Sequence, residues 1–365
     1  MKFRIKLLIL PAVFLLYSCD PSDGGAEDVI EGAEQGDAPA QSKLGQHYGQ
    51  DDGVAKDATG GVKRYRKAAE QGDAEAQFKL GQIYFHGDGV AKDATEGVKW
   101  YRKAAEQGKP TAQYNLGVCC LRGYGVAKNL TEAVKWFRKA ADKGNASGQG
   151  NLGVCYLRGD GVAKDATEAV KWFRKAAGQG DAEAQYNLGV RYLLGDGVAK
   201  DATEGVKWYR KAAEQGKPTA QYNLGLCYSK GYGVAKNLTE AVKWFCKAAG
   251  QGNAEAQYDL GVRYLLGEGV AKDATEGVKW MSKAAEQGNA EAQYNLGVCY
   301  AKGDGVAKDD VTAYMWTNLA AASGAKSAKS AKELRELLEK KMTAEQIAAA
   351  QLLSRDWKPR PYQGE

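Results

Sequence analysis

The fold is decided by the stretch Asp73–Gly108, DAEAQFKLGQIYFHGDGVAKDATEGVKWYRKAAEQG. It reads as two helices joined by a turn. The first spans about Ala74 to Phe85, and Gly87-Asp88-Gly89 ends it, because glycine reaches the backbone angles of a tight turn without strain. Asp93 lies three residues before Glu96, the spacing of a capping box, and predicts the start of a second helix. That helix runs to Gln107, with Gly108 placed as its C-terminal cap. Along it Gly97, Val98, Tyr101, Ala104 and Ala105 share one face, and Lys99, Arg102, Lys103 and Glu106 lie mostly on the other. Gly81 sits inside the first helix, where glycine costs about 1 kcal/mol relative to alanine. Close approach of the second helix, at a Gly or Ala such as Gly97, is the physical reason to keep it.

The stretch repeats. Leu-Gly recurs at Leu44-Gly45, Leu80-Gly81, Leu116-Gly117, Leu152-Gly153, Leu188-Gly189, Leu224-Gly225, Leu260-Gly261 and Leu296-Gly297, always 36 residues apart. Trp100, Trp136, Trp172, Trp208, Trp244, Trp280 and Trp316 keep the same step, and Arg64 takes that place in the first unit. Eight units follow: 37–72, 73–108, 109–144, 145–180, 181–216, 217–252, 253–288 and 289–324. A fixed period of this length means stacked supersecondary units, here an all-α, right-handed α/α solenoid. Residues 87–108 and 195–216 are identical, which points to duplication of a three-unit block. The 365 residues hold 44% hydrophobic and 26% charged side chains, a globular balance that excludes general disorder. The formal charge of +6 falls to +3 without Lys2, Arg4 and Lys6, which gives no nucleic-acid signature. Two histidines in the whole chain make a His-rich metal site a poor expectation, and no cofactor is implied.

The pattern A-E-A-Q-Y-N-L-G … G-D-G-V … D-A-T-E-A-V-K-W-F-R-K-A-A-x-Q-G resembles the Sel1-like repeat, a relative of the tetratricopeptide repeat. The resemblance covers about four fifths of the chain. The tail, 325–365, resembles the helical segment that often closes such arrays. Thr343 is placed to cap a helix there, and Ile347, Leu352 and Leu353 are placed to cover the last unit's open core.

Number each unit from its first residue. Position 7 holds Lys43 and Lys79 in the first two units, then Asn115, Asn151, Asn187, Asn223 and Asn295, with Asp259 in the seventh unit. Position 14 holds Arg122, Arg158, Lys230 and Lys302, and where it is Leu194 or Leu266, position 11 is Arg191 or Arg263. These residues form one narrow polar stripe on an otherwise apolar first helix, the pattern of a helix packed on three sides and open on the fourth. An asparagine both donates to and accepts from a peptide backbone, and Arg or Lys suits carboxylates. In tetratricopeptide arrays the matching Asn lines a concave groove that holds extended peptides. The resemblance implies the same partner-binding role for the eleven Asn, Arg and Lys side chains from the third unit onward, in a monomer. Position 5 is Gln in every unit, Gln41 to Gln293, and points coreward, so these amides read as hydrogen-bonded links between helices. The Trp series reads as packing.

Residues 1–18, MKFRIKLLILPAVFLLYS, combine a basic start with an apolar run too short to span a bilayer, the form of a secretory signal. Leu16-Tyr17-Ser18-Cys19 resembles a bacterial lipobox, with Tyr17 departing from the usual small or aliphatic residue. That resemblance implies acylation of Cys19 and a lipid anchor facing the periplasm. Residues 19–36 then read as the lipidated Cys, a tether to about Asp28 and a partial N-terminal cap. Asp20 beside the Cys resembles an inner-membrane retention signal of some lineages.

Other signals are weaker. Cys119, Cys155, Cys227 and Cys299 share one repeat position, and units about 10 Å apart place them beyond disulfide reach. They read as small apolar filler, and Cys246 as an exposed free thiol. A cysteine-rich branch of the family, linked with penicillin binding, carries two Cys per unit, a pattern absent here. Ser323-Gly-Ala-Lys326 matches S-x-x-K without its Ser-Asp-Asn or Lys-Thr-Gly companions. The expected function is therefore a non-catalytic protein–protein interaction scaffold of the bacterial envelope. The rivals are a cell-wall or β-lactam hydrolase and a structural envelope spacer.

Overall fold

The computed structural model describes residues 26–49 and 57–360, so Cys19, the signal segment and the start of the tether lie outside the described residues. Nineteen helices and no strand are present among the described residues. The chain divides into two compact units, 1–175 and 176–365. The first holds α1 (Ala26–Glu34), α2 (Ala38–Gly49), α3 (Ala58–Glu70), α4 (Ala74–His86), α5 (Ala94–Glu106), α6 (Pro110–Arg122), α7 (Leu130–Asp142), α8 (Ala146–Arg158) and most of α9 (Ala166–Gly178). The second holds the end of α9, then α10 (Ala182–Leu194), α11 (Ala202–Glu214), α12 (Pro218–Lys230), α13 (Leu238–Gly250), α14 (Ala254–Leu266), α15 (Ala274–Glu286), α16 (Ala290–Lys302) and α17 (Asp310–Ala322). It closes with α18 (Ala328–Glu339) and α19 (Ala344–Asp356). Within each unit successive helices pack on one another, first helix against second and second against the next first.

The local chemistry of each helix matches its sequence. Asp73 accepts from the Ala76 N–H at 2.6 Å and starts α4, and Gly87 ends it at φ +86°. Asp93 accepts from the Glu96 N–H at 3.0 Å, but only half of the expected capping box forms. The Glu96 carboxylate pairs instead with Lys99 at 2.9 Å, while the Asp93 N–H donates to Tyr84 O. Because the Tyr84 carbonyl near the end of α4 takes the Asp93 N–H, Glu96 is free to satisfy the cation beside it. Repeats three and six begin with Lys109 and Lys217, which cannot cap; each is followed by Pro and pairs with a glutamate of the preceding repeat, Glu75 and Glu183. The duplicated block thus carries its ion pair with it.

Glycine inside the first helix is explained by contact. A Cβ on Gly81 would lie 2.5 Å from the Tyr101 ring, and one on Gly97 would lie 3.0 Å from Gly81 O. Leu80, Leu116, Leu152, Leu188, Leu224 and Leu260 are fully buried beside these contacts, as are Phe137, Phe173 and Phe245. The position-5 glutamines bond as expected. Gln77 Nε2 donates to Ala69 O of the preceding repeat at 3.0 Å, and Gln77 Oε1 accepts from Gln107 at 2.7 Å.

The two ends close differently from the array between them. α1 lies on α2 through Ala33, Ala40 and Leu44, and begins inside the stretch read as tether. α18 and α19 lie on α17, where Leu338, Met342 and Ala350 cover Ala313 and Tyr314. Thr343 caps α19 in a full capping box with Gln346. Ile347 joins this cover, but Leu352 and Leu353 do not: they are 49% and 48% exposed, because α19 turns its small residues, Ala350 and Ser354, to α17. Trp357 then meets Trp316 edge-on at 6.2 Å, and the Arg360 N–H donates to Glu286 O.

Candidate functional site

The stripe residues divide by what already holds them. All five asparagines are half-buried. Asn151, Asn187 and Asn223 each donate to the carbonyl one turn back, at Ser147, Glu183 and Thr219, over 2.8–3.0 Å. Asn295 donates to the Tyr258 hydroxyl of the preceding repeat at 3.1 Å, and Asn115 meets the Tyr101 hydroxyl. Asn187 also reaches the Glu183 carboxylate at 3.4 Å. Each amide is therefore held in orientation through its N–H side, with its carbonyl oxygen still able to accept from a peptide backbone.

The cations fall into two groups. Arg122 and Arg158 in the first unit, and Lys230 and Lys302 in the second, are exposed and make no hydrogen bond or ion pair with any described residue. Arg191 and Arg263 differ from the sequence expectation. Their side chains are 13% and 18% exposed and pair with Asp196 and Glu268 of their own turns. Arg263 also donates to Ser229 Oγ of the preceding repeat at 2.9 Å. A position-11 side chain starts one turn deeper than a position-14 one, so its guanidinium reaches the turn acid five residues on.

Sequence reading missed the tyrosines that tie one first helix to the next. Tyr222 donates to Asp259 Oδ2 at 3.0 Å, as Tyr258 accepts from Asn295. Burial pushes the Asp259 carboxyl above its usual range, against the lowering pull of Tyr222, Arg263 and Lys230. Tyr at position 6 followed by a polar residue at position 7 one unit later was the available signal.

The second helices show a different order. In most repeats the Lys at position 31 lies over the ring of the Trp at position 28, as with Lys103 over Trp100 at 4.0 Å. The Lys at position 27 pairs with the Glu at position 24, as in Lys171–Glu168 at 2.9 Å. Arg66, Arg138 and Arg210 each donate to the Tyr hydroxyl of the next repeat, at Tyr84, Tyr156 and Tyr228. These cations serve the fold as well as the surface.

The thiols are filler. Cys119, Cys155, Cys227 and Cys299 are buried and unpaired, and burial pushes their pKa up, to about 12 for Cys119 and about 11 for the others. A thiol so raised is a poor nucleophile at neutral pH. Cys246 is half-buried, where the sequence suggested exposure, because it packs against the core cluster that holds Phe245 and Leu260. Ser323 Oγ donates to Ala320 O at 2.6 Å and accepts from the Ala325 N–H, which ties the hydroxyl to the end of α17. Among the described residues no cluster of His, Cys, Asp or Glu is arranged for a metal ion, and no helix is long and apolar enough to cross a membrane.

This geometry agrees with known proteins. The Sel1 repeat profile matches residues 38–73, 74–109, 110–145, 146–181, 182–217, 218–253, 254–289 and 290–324, so the chain belongs to the Sel1 repeat family. A solved Sel1 repeat protein from Oxalobacter formigenes is 34% identical over 91% of this chain and 98% of its own, with a TM-score of 0.65. A protective antigen present in uropathogenic Escherichia coli strains, with an SLR fold, is 32% identical over 92% of this chain and 94% of its own, with a TM-score of 0.57. No curated protein matches the chain. Proteins built from Sel1 repeats are typically protein–protein interaction scaffolds, and the fold is generally non-catalytic.

Proposed function

We propose that this protein is a non-catalytic scaffold of the bacterial envelope, exported by its N-terminal signal, acylated at Cys19 and binding a peptide or protein segment along its first-helix stripe. The observation that supports the reading is the row of half-buried asparagines, held in orientation by internal bonds, together with four exposed cations that make no hydrogen bond or ion pair with a described residue. Fixed amides lose little freedom on binding, which is what favours recognition of an extended backbone. Arg122, Arg158, Lys230 and Lys302 supply the charge. Arg191 and Arg263 orient their turns and contribute less.

The test is affinity capture from envelope extract with residues 20–365 as bait, beside a variant with Asn115, Arg122, Asn151 and Arg158 all changed to Ala. Circular dichroism establishes that both fold alike. A partner held by the parent and lost by the variant supports recognition on the stripe; equal capture by both removes it. Acylation is read separately, by incorporation of labelled fatty acid into the full chain and its absence in Cys19→Ala.

A further inference from the structure

The first repeat breaks the pattern of the second helices in two places, and both changes act on one surface. Position 24 is Gly60, where the next six repeats carry Glu96, Glu132, Glu168, Glu204, Glu240 and Glu276. Position 28 is Arg64, where every later repeat carries Trp. Elsewhere the Glu holds the position-27 lysine, at 2.9–3.6 Å in five repeats, and the Trp ring lies under the position-31 lysine. In the first repeat Lys63 and Lys67 have lost both partners and gained a third cation between them. None of Lys63, Arg64 and Lys67 makes an ion pair or hydrogen bond with a described residue. The three line a shallow hollow of about 320 Å³ with Gly60 and Asp57. Asp57 is committed to the helix start, where its side chain accepts from the Gly60 N–H at 2.9 Å. Arg66 is committed to Tyr84, and Glu70 is the only acid within α3.

The same trend runs through the second helices. Cations number four in α3, three each in α5, α7, α9 and α11, two in α13 and α15, and none in α17. The basic end is the end from which the chain runs to Cys19.

We propose that the unneutralised triad Lys63, Arg64 and Lys67 on α3 is a docking site for anionic phospholipid headgroups. The triad lays the first repeat against the membrane to which the chain is tethered. The inference rests on the anchored reading of Cys19 and uses a face separate from the first-helix stripe. With the Asp57 carboxylate counted against the three cations, the hollow stays net positive and suits a phosphate diester, and arginine and lysine near an anionic leaflet each add to the attraction. A lipid-tethered chain meets that leaflet at high effective concentration, so a weak headgroup site suffices to set its orientation.

Vesicle co-sedimentation tests this with unacylated residues 20–365, which contain every described residue. Vesicles of phosphatidylglycerol and phosphatidylethanolamine are compared with vesicles of phosphatidylcholine. The parent should bind the anionic vesicles, less so as salt rises. The double variant Gly60→Glu, Arg64→Trp restores the residues of the neighbouring repeats and so should fold at least as well, which a thermal melt checks. Its partition onto anionic vesicles should fall about tenfold or more, since one cation is lost and one carboxylate gained, a net change of two charges. Lys243→Gln with Lys247→Gln, which removes the same charge from α13, should leave partition nearly unchanged. Absence of binding to anionic vesicles, equal binding to phosphatidylcholine, or equal binding by the double variant would overturn the proposal. Retention of polyglutamate in place of vesicles would overturn it too, in favour of an acidic protein partner. Because the chain is unacylated and the stripe is untouched, none of these failures bears on Cys19 or on partner capture.

Discussion

Lys143 shows what one residue does to an interface. It stands where repeats two, five, six and seven carry a glutamine whose Nε2 donates at 2.7 Å to the position-5 glutamine. Gln107 also donates to Gly72 O, the carbonyl equivalent to the one Lys143 reaches at Gly108. Lys143 keeps that second bond but does not make the first, and Gln113 Oε1 is left buried with no partner among the described residues. Lys143→Gln should make both bonds and stabilise the chain by about 1 kcal/mol, read as a higher denaturant midpoint at unchanged slope. Asp259 is the matching case of a charge placed among amides. Burial raises its carboxyl, so the folded chain holds that proton more tightly than the unfolded chain does. The stability linked to this group is complete below the unfolded carboxylate pKa of about 4 and is lost as pH rises through the folded value. Asp259→Asn, the residue of five other repeats, can still accept from Tyr222. Its melting temperature should exceed the parent's at pH 7, and the difference should close near pH 3.

Within a helix pair, the decisive quantity is how closely the two backbones approach. Gly81 lets the Tyr101 ring lie directly on α4, and Gly97 brings α5 onto the Gly81 carbonyl. The roughly 1 kcal/mol lost to glycine in each first helix is offset by that contact. Gly81→Ala should therefore destabilise by about 1–3 kcal/mol although alanine is the better helix former, because ring and backbone must both move. Gly250→Ala, at the end of α13 where an added Cβ meets nothing within 4 Å, is the control and should be neutral or mildly stabilising in the same thermal melt. The period and helix limits were legible because Leu-Gly, Gly-x-Gly and the Asp or Asn caps are each local. The half-made capping box was not, since Glu96 had a lysine one turn on to choose instead.

At the scale of the chain, the sequence by itself determined that this is an array of two-helix units, where each unit begins and ends, and which first-helix side chains form a polar stripe. A period of 36 forces equivalent residues into equivalent places, so counting is enough. It also located the cover at the C-terminal end, where Thr343 caps α19. Tertiary structure alone decided which members of the stripe are free. Arg191 and Arg263 look like Arg122 and Arg158 by residue type, yet their guanidiniums are taken by Asp196 and Glu268. It likewise decided that Ala350, not Leu352 or Leu353, meets α17. The first repeat's triad needed both views: the sequence shows the exchange of Glu for Gly60 and Trp for Arg64, and the structure shows what those partners do elsewhere. The physical reason is one of range. Helix formation and capping are settled within a few residues, whereas the pairing of a charge depends on which acid another turn or another repeat brings within reach.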